Sequence, residues 1–225
     1  MKPRFALLVG CFFLLASLPV FAGTITYSFG GGGGAQGTSL SFGTTPTTIT
    51  AYGYVGSASK DLYLKDAGTT EDGLGLKGTT DDEINPNQAI VFDLYNLAAQ
   101  GYTSGTFELG SLQYHSSSDI EAAVACTGAN LSSSMSSYTC GSPALGDSAA
   151  VVQTPTVTWS VADPYVAFFT ASTQTDASGN FLVDSLTAQQ TTTTPEPATI
   201  FLLLPGLLLL GLIYRRRTGA ASLGV

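Results

Sequence analysis

The side chains of this sequence that could take part in catalysis are a single histidine, many serines and many carboxylates. The histidine, His115, lies in the run Tyr114-His115-Ser116-Ser117-Ser118-Asp119. A Ser-His-acid nucleophile would have to use it, but serines adjacent in sequence do not reach the triad geometry through adjacency alone. The sequence also contains no Gly-x-Ser-x-Gly elbow. We therefore predict that His115 is a loop residue and that the protein is not an enzyme.

Acidic residues suggest two further kinds of site. Two carboxylates about 5 to 10 Å apart would suffice for glycoside hydrolysis, although the sequence singles out no pair. Asp81, Asp82 and Glu83 follow Glu71 and Asp72 closely, and together they could supply the roughly six to eight oxygen ligands that Ca²⁺ takes. Their spacing lacks the repeated Asp-x-Asp pattern of a calcium loop. Solvated turn acids are therefore the preferred interpretation, and Ca²⁺ is the one candidate cofactor.

Cys126 and Cys140 are the cysteines that remain once the amino-terminal 22 residues are removed. In an exported protein such a pair is most simply a disulfide. The loop that it closes is rich in Ser, Gly and Thr, and the chain-entropy model gives roughly 3 kcal/mol for a loop of this size. A metal site would need more ligands than two cysteines and one histidine offer nearby.

Charge is distributed unevenly along the 225 residues. Five of the eight Lys and Arg residues lie near the termini, so the stretch from Gly23 to Thr194 holds three lysines against fifteen acids, a net charge of −12. A surface of this charge repels nucleic acid and anionic lipid. We therefore expect no nucleic-acid partner.

The body of the chain is rich in Gly, Ser, Thr and aromatic residues, a composition that favours β-strands. Short strands at this spacing indicate an all-β fold. We predict a single β-sandwich-like domain over 23–188, with jelly-roll and immunoglobulin-like topologies both left open. The predicted strands are Thr24–Phe29, Thr47–Val55, Asp61–Leu64, Ala89–Leu94, Gly105–Tyr114, Val151–Val161, Tyr165–Thr170 and Phe181–Leu186.

Two segments of the body carry turn or loop signals. Asp176–Asn180 separates the last two predicted strands and has the residues of a hairpin turn. The glycine run Gly30–Gly34 lacks the Lys and the Ser or Thr of a phosphate loop. It is predicted to be a flexible loop.

The amino terminus has the organisation of a secretory signal peptide. Two cations precede an apolar run from Phe5 to Ser17, and small residues, the last of them Ala22, stand just before Gly23. We therefore predict a signal peptide over 1–22 with cleavage between Ala22 and Gly23, which makes the Sec translocon and signal peptidase partners. A lipoprotein site at Cys11 is the alternative, but only a short apolar segment precedes it.

A second apolar run, at about 198–214, is followed at once by Arg215, Arg216 and Arg217. With a rise of ~1.5 Å per residue it reaches ~24 Å, a little short of a typical hydrocarbon core. We predict a transmembrane helix here. Because positive charge stays cytoplasmic, the arginines form a cytoplasmic stop, residues 218–225 form a cytoplasmic tail, and the body lies outside the inner membrane.

Directly before this helix stands Pro195-Glu196-Pro197. This element, the glycine-containing apolar helix and the arginine cluster together resemble the PEP-CTERM sorting domain, a tag also labelled the ice-binding protein C-terminal domain. The resemblance covers Thr194 to Arg217, with Pro205 and the residues after the arginines as departures. It implies that Pro195, Glu196 and Pro197 are recognised by an exosortase, an integral-membrane protease of Gram-negative bacteria that make extracellular polysaccharide.

The segment from Glu71 to Leu94 shows a second resemblance. A Gly-Leu-Gly turn, an acidic pair before Ile84 and an apolar strand at Ala89–Leu94 are similar to a pattern in β-sandwich domains that are often paired with this tag. The resemblance implies no biochemical activity.

Residues 189–194 are polar and without hydrophobic periodicity, and are predicted to be a spacer between the domain and the sorting signal at 195–217. The two prolines around Glu196 hold that signal extended and accessible. We therefore predict a non-catalytic surface or extracellular-matrix protein, held transiently in the inner membrane and then displayed at the cell surface or outside it. Exopolysaccharide of a biofilm matrix is a candidate partner. The alternatives are a tagged, polysaccharide-acting enzyme such as a glycoside hydrolase, and a permanently membrane-anchored surface protein.

Overall fold

The computed structural model describes residues 23–66, 71–78, 81–116, 119–146, 153–171 and 180–191. Within these ranges the chain forms antiparallel strands, one short α-helix and a single turn of 3₁₀ helix at Met135–Ser137. In chain order the elements are β1 (Thr24–Ser28), β2 (Gly34–Gly37), β3 (Ser39–Phe42), β4 (Ile49–Val55), β5 (Ala58–Ser59), β6 (Leu62–Lys65), β7 (Gly73–Leu76), β8 (Gln88–Asp93), α1 (Tyr95–Ala99), β9 (Tyr102–Gly110), β10 (Tyr114–Ser116), β11 (Asp119–Ile120), β12 (Ala122–Gly128), β13 (Thr139–Cys140), β14 (Ala144–Leu145), β15 (Thr156–Thr158), β16 (Tyr165–Thr170) and β17 (Leu182–Gln190).

Most strands belong to two large antiparallel sheets. Sheet A has the order β15-β9-β17-β7-β6-β2, and β1 also pairs with β17. Sheet B has the order β13-β12-β16-β8-β4-β3, with β14 paired to β12 and β5 paired to β4. The strands β10 and β11 form a separate ribbon. The prediction of an all-β, sandwich-like fold is therefore confirmed.

Phenylalanines from both sheets meet in the core. Phe107 of sheet A lies between Phe92 and Phe168 of sheet B, with ring centroids 5.4 and 4.8 Å away. Phe29, just after β1, packs on Phe92 at 5.1 Å. All four rings are fully buried, and burial of a ring of this size stabilises the fold by up to ~3 kcal/mol. The aromatic residues that suggested strands in the sequence therefore also join the two sheets.

The glycine run is not simply a flexible loop, because its last residue, Gly34, begins strand β2, which ends at Gly37. Gly34 pairs with Leu64, and Gly37 pairs with Leu62, at the edge of sheet A. Both glycines have positive φ, +120° and +81°, in a region that residues with a Cβ rarely adopt. Sequence reasoning assigned these residues to a loop because glycine is depleted in ordinary strands.

The Gly-Leu-Gly segment is likewise a strand and not a turn. It forms β7, which is buried along its whole length between β17 and β6. A Cβ at Gly75 would stand 2.0 Å from the carbonyl oxygen of Asp82. The glycine is therefore required because another segment of backbone crosses directly over this strand.

The carboxyl-terminal strands also differ from the prediction. β16 pairs with β12 and β8 in sheet B, whereas β17 pairs with β9, β7 and β1 in sheet A. The two strands therefore do not form a hairpin, and residues 172–179 between them lie outside the described ranges. In addition, β17 continues to Gln190, so the first two residues of the predicted spacer belong to this strand.

Candidate functional site

The two ends of the described chain lie side by side on sheet A. Thr24 of β1 is paired with Gln189 of β17, and the N–H of Gln190 donates to the carbonyl oxygen of Gly23 at 2.8 Å. Thr191 continues this edge by donating its N–H to Gly101. The sandwich is thus closed at the point from which both predicted targeting segments depart.

The residues predicted to direct export and sorting lie outside the described residues, apart from Gly23. They are Ala22, Pro195, Glu196, Pro197, Arg215, Arg216 and Arg217. Within the described ranges no helix has the length and apolar character needed to span a bilayer. The predicted span at about 198–214 lies beyond those ranges.

The three acids proposed as calcium ligands have different neighbours. The Asp81 carboxylate accepts a 3.4 Å hydrogen bond from the Asn180 amide. Asp82, which has a φ of +57°, accepts the N–H of Gly78 at 2.7 Å. Glu83 is buried, with 2% of its surface exposed. No group of three acids, cysteines or histidines suited to a metal occurs among the described residues, so the structure does not bring these three together as a calcium site.

Glu83 instead belongs to a buried charge cluster with Lys65. The Lys65 ammonium donates to Glu83 and lies 3.1 Å from the carboxylate of Glu71, while the Ser111 hydroxyl donates to Glu83 at 3.1 Å. Burial raises the pKa of Glu83, and Lys65 opposes that rise. Burial lowers the pKa of Lys65, but bonding and attraction to Glu83 and Glu71 outweigh burial and raise it overall. The cluster ties β6 to the segment after β7, a structural role that the sequence did not indicate.

A second set of acids lies around the bulged part of β17. The hydroxyl of Ser185 donates to Glu108 at 2.7 Å. A Cβ at Gly30 would lie within 3.6 Å of both Asp72 and Asp184. Burial, followed by repulsion from Glu108 and Asp72, raises the pKa of Asp184. Asp184, like Glu83, is therefore a described acid whose surroundings favour the protonated form.

Cys126 and Cys140 form the predicted disulfide. They face each other across the antiparallel pair β12–β13, and their sulfurs are bonded at 2.09 Å. The bond fastens the edge of sheet B, where β13 has only two residues. Its role is structural, as the sequence suggested.

His115 lies in strand β10, paired through its neighbour Tyr114 to Ile120, and not in a loop as predicted. Strand β10 follows strand β9 after an interruption at Ser111, which has a φ of +64°.

Sequence reasoning missed a group of tyrosines on the outer face of sheet B. Tyr52 and Tyr54 of β4, Tyr165 of β16 and Asp93 of β8 all point away from the core. We call these four residues the tyrosine face. One signal was available in the sequence, because Tyr52-Gly53-Tyr54 must place both rings on one side of a strand.

The chain was compared with families and with individual proteins. The model of the PEP-CTERM protein-sorting motif matches residues 193–217. No curated protein and no solved structure matches the chain. The matched range begins two residues after Thr191, the last of the described residues, which is hydrogen-bonded to Gly101. Residues 193–217 therefore carry a PEP-CTERM protein-sorting motif, and this motif implies export, sorting through an exosortase and a surface or extracellular location.

Proposed function

We propose that this protein is a non-catalytic component of the cell surface or extracellular matrix, delivered there by exosortase processing of its sorting motif. One observation carries the proposal. A closed, disulfide-linked sandwich ends at Thr191, and the sorting motif begins at residue 193. A compact domain placed directly before a sorting signal is the arrangement expected of a displayed cargo.

The arrangement of acids supports a structural role for the sandwich. Among the acids in the described part of the chain, Glu83 and Glu121 are buried, and both hold separate segments of the chain together. Glu83 bonds to Lys65, and Glu121 accepts the N–H of Gln113 at 2.6 Å. Carboxylates bound in this way are constrained by the fold and are poorly placed to exchange protons with a substrate.

Localisation tests this proposal. Antibody against the sandwich should label intact cells, or recover the protein from the medium, when the host has an active exosortase. In a host lacking exosortase activity, the same protein should stay with the inner membrane. In the host with an active exosortase, a Glu196→Ala variant should also stay with the inner membrane, because its recognition element is altered. Equal surface delivery with and without the exosortase would contradict the proposal.

The second candidate is a polysaccharide-acting enzyme that carries the same motif. The raised pKa of Asp184, near Glu108 and Asp72, favours this candidate because a glycosidase acid must hold a proton beside a second carboxylate. Reducing-end release from the host's own polysaccharide by the wild-type chain, and its loss in Asp184→Asn, would support the enzyme. Equal release by the two proteins would argue against it.

A further inference from the structure

The residues of the tyrosine face come from three neighbouring strands of sheet B, β4, β8 and β16. Tyr52 is paired with Val91, which is paired with Ala167. Asp93 is the next outward residue after Val91 on β8, and it is paired directly with Tyr165. Neighbouring strands are about 4.8 Å apart and a two-residue step along a strand is about 6.8 Å, so Tyr52 and Tyr165 lie diagonally across β8, about 12 Å apart.

Small residues lie between these rings. Ala89, Val91 and Ala167 are buried on the outside of sheet B, apart from the core between the sheets. Tyr54 and Tyr165 pack against this outer cluster while remaining partly exposed. The tyrosine face is therefore an apolar surface of small side chains, bordered by tyrosine rings that each carry a hydroxyl group.

Polar groups converge above that surface. Burial, and then the nearby charge of Asp93, raises the pKa of both Tyr52 and Tyr165. Asp93 accepts the N–H of Tyr95 at 2.9 Å and has no ion pair among the described residues. One carboxylate and several phenols therefore offer hydrogen bonds next to apolar ring surface.

We propose that the tyrosine face binds a neutral glycan. A sugar ring has apolar C–H surfaces edged by hydroxyl groups, and the rings of Tyr52 and Tyr165 offer apolar faces edged by hydroxyls in return. Asp93 accepts hydrogen bonds from sugar hydroxyls, which are donors that a carboxylate binds well.

The negative charge of the domain and the small extent of the tyrosine face favour a neutral glycan over other ligands. The stretch from Gly23 to Thr194 has three lysines against fifteen acids, so an anionic polysaccharide is repelled at long range. A specific protein partner would require roughly 1,000 Å² or more of complementary surface, far beyond three rings and one carboxylate. A glycan chain needs only a few such contacts and can repeat them along its length.

Affinity electrophoresis of the full chain tests the proposal. Native gels would contain hydroxyethyl cellulose, dextran or galactomannan as neutral polymers, or alginate as the anionic one. The protein would be kept in a polyoxyethylene detergent, which has no sugar headgroup. At least one neutral polymer should retard the wild-type chain, and alginate should not. The proposal is overturned if no neutral polymer causes retardation, or if alginate retards the chain more strongly.

Substitutions locate the binding. Tyr52→Ala and Tyr165→Ala should each weaken retardation about tenfold, because the contact surface of one ring is removed. Asp93→Asn should weaken it about fivefold through the loss of a charged acceptor. Tyr63→Ala is the matched control, since Tyr63 is a partly exposed tyrosine on β6 of sheet A. Equal retardation of all four variants would overturn the proposal.

Tyr52→Phe and Tyr165→Phe guard against loss of folding in the alanine variants. Each keeps its ring and should retain most of the retardation, and thermal melting identifies any unfolded variant. The inference goes beyond display at the surface and does not require the sorting motif to be cut. Its failure would therefore leave localisation unchanged.

Discussion

Gln190 donates its backbone N–H to the carbonyl oxygen of Gly23 at 2.8 Å. This bond extends the pairing of β1 with β17, which runs in register from Thr24 with Gln189 to Ser28 with Ser185. The first described residue and the last strand thus close the same sheet. A predicted signal-peptide cut before Gly23 and a sorting motif from residue 193 flank a domain whose ends support each other.

Gly75→Ala should disrupt the sandwich. The added methyl group would meet the Asp82 carbonyl at 2.0 Å. Gly75 is held in strand β7, and Asp82 lies two residues before the bridge between Ile84 and Phe181. We expect a loss of more than about 3 kcal/mol of unfolding free energy, at the upper end for overpacking. Chemical denaturation checks this, with Gly141→Ala as the control because its nearest neighbour is 3.6 Å away. Equal stability of the two variants would show that Gly75 is in an open turn.

Lys65→Met should destabilise the protein by about 3 kcal/mol, because it leaves the buried Glu83 carboxylate without its cation. For a domain of this size that corresponds to a melting point lower by roughly 6 to 12 °C. Lys77→Met, at an exposed lysine, should have little effect. Adding Glu83→Gln to Lys65→Met should recover part of the loss, and a double variant no more stable than Lys65→Met would contradict the pairing.

The deficit of Lys65→Met should also depend on pH. Burial already raises the pKa of Glu83 above its usual value, and removal of Lys65 raises it further. Between the unfolded and folded pKa values the folded state binds more protons, so its stability increases as pH falls. The difference between Lys65→Met and wild type should therefore shrink as melting is measured from pH 7 towards pH 4. A deficit that grows over this range would contradict the assignment.

Asp184→Asn should stabilise the fold at neutral pH. Burial and repulsion from Glu108 and Asp72 raise the pKa of Asp184, so the ionised form opposes folding above that pKa. Below the unfolded pKa the group is protonated in both states and contributes nothing. The gain in melting temperature should be present at pH 7 and nearly absent at pH 3. Asp163→Asn, at an exposed acid, is the control and should show no comparable gain.

Loss of the disulfide should lower stability only under oxidising conditions. Cys126 and Cys140 are 14 residues apart, and the chain-entropy model gives roughly 3 kcal/mol for closing such a loop. The Cys126→Ser, Cys140→Ser double variant should melt below wild type in non-reducing buffer. Dithiothreitol should lower the wild-type melting temperature and leave that of the variant unchanged. Coincident melting curves without reductant would show that the bond adds no stability.

Strands with alternating or continuous apolar residues could be predicted from the sequence. β1, β4, β6, β8 and β16 each lie within two residues of the predicted bounds. Their Val, Ile, Phe and Tyr residues fit a half-buried pleated surface. The disulfide was predictable as well, because an exported chain with two cysteines offers a single pairing.

Strands made of small residues could not be predicted. β7 and β2 are rich in glycine, and β12 is rich in alanine, so their own propensity argues against strands. In β7 the surrounding backbone leaves no room for a side chain at Gly75, whereas β2 is a strand because it pairs with β6 at the edge of sheet A. Tertiary contacts of this kind have no local signature in the sequence.

Sites assembled from residues far apart in the sequence could not be predicted either. Lys65 and Glu83 meet only because β6 and β7 pair. Tyr52, Asp93 and Tyr165 come together only through the order β4-β8-β16 in sheet B. Sequence reasoning identified Glu83 as acidic and assigned it to solvent, where the structure has it buried. The sorting motif, in contrast, is contiguous in sequence and was found without any knowledge of the fold.

Measurement of the intact mass of the mature protein tests exosortase processing. The protein would be recovered from the surface or medium of cells with an active exosortase. We predict a species that begins at Gly23 and lacks Arg215, Arg216 and Arg217, and we predict that Glu196→Ala accumulates in cells with these arginines retained. A surface species of wild type that still carries Arg215 to Arg217 would contradict exosortase processing and would favour a permanent membrane anchor.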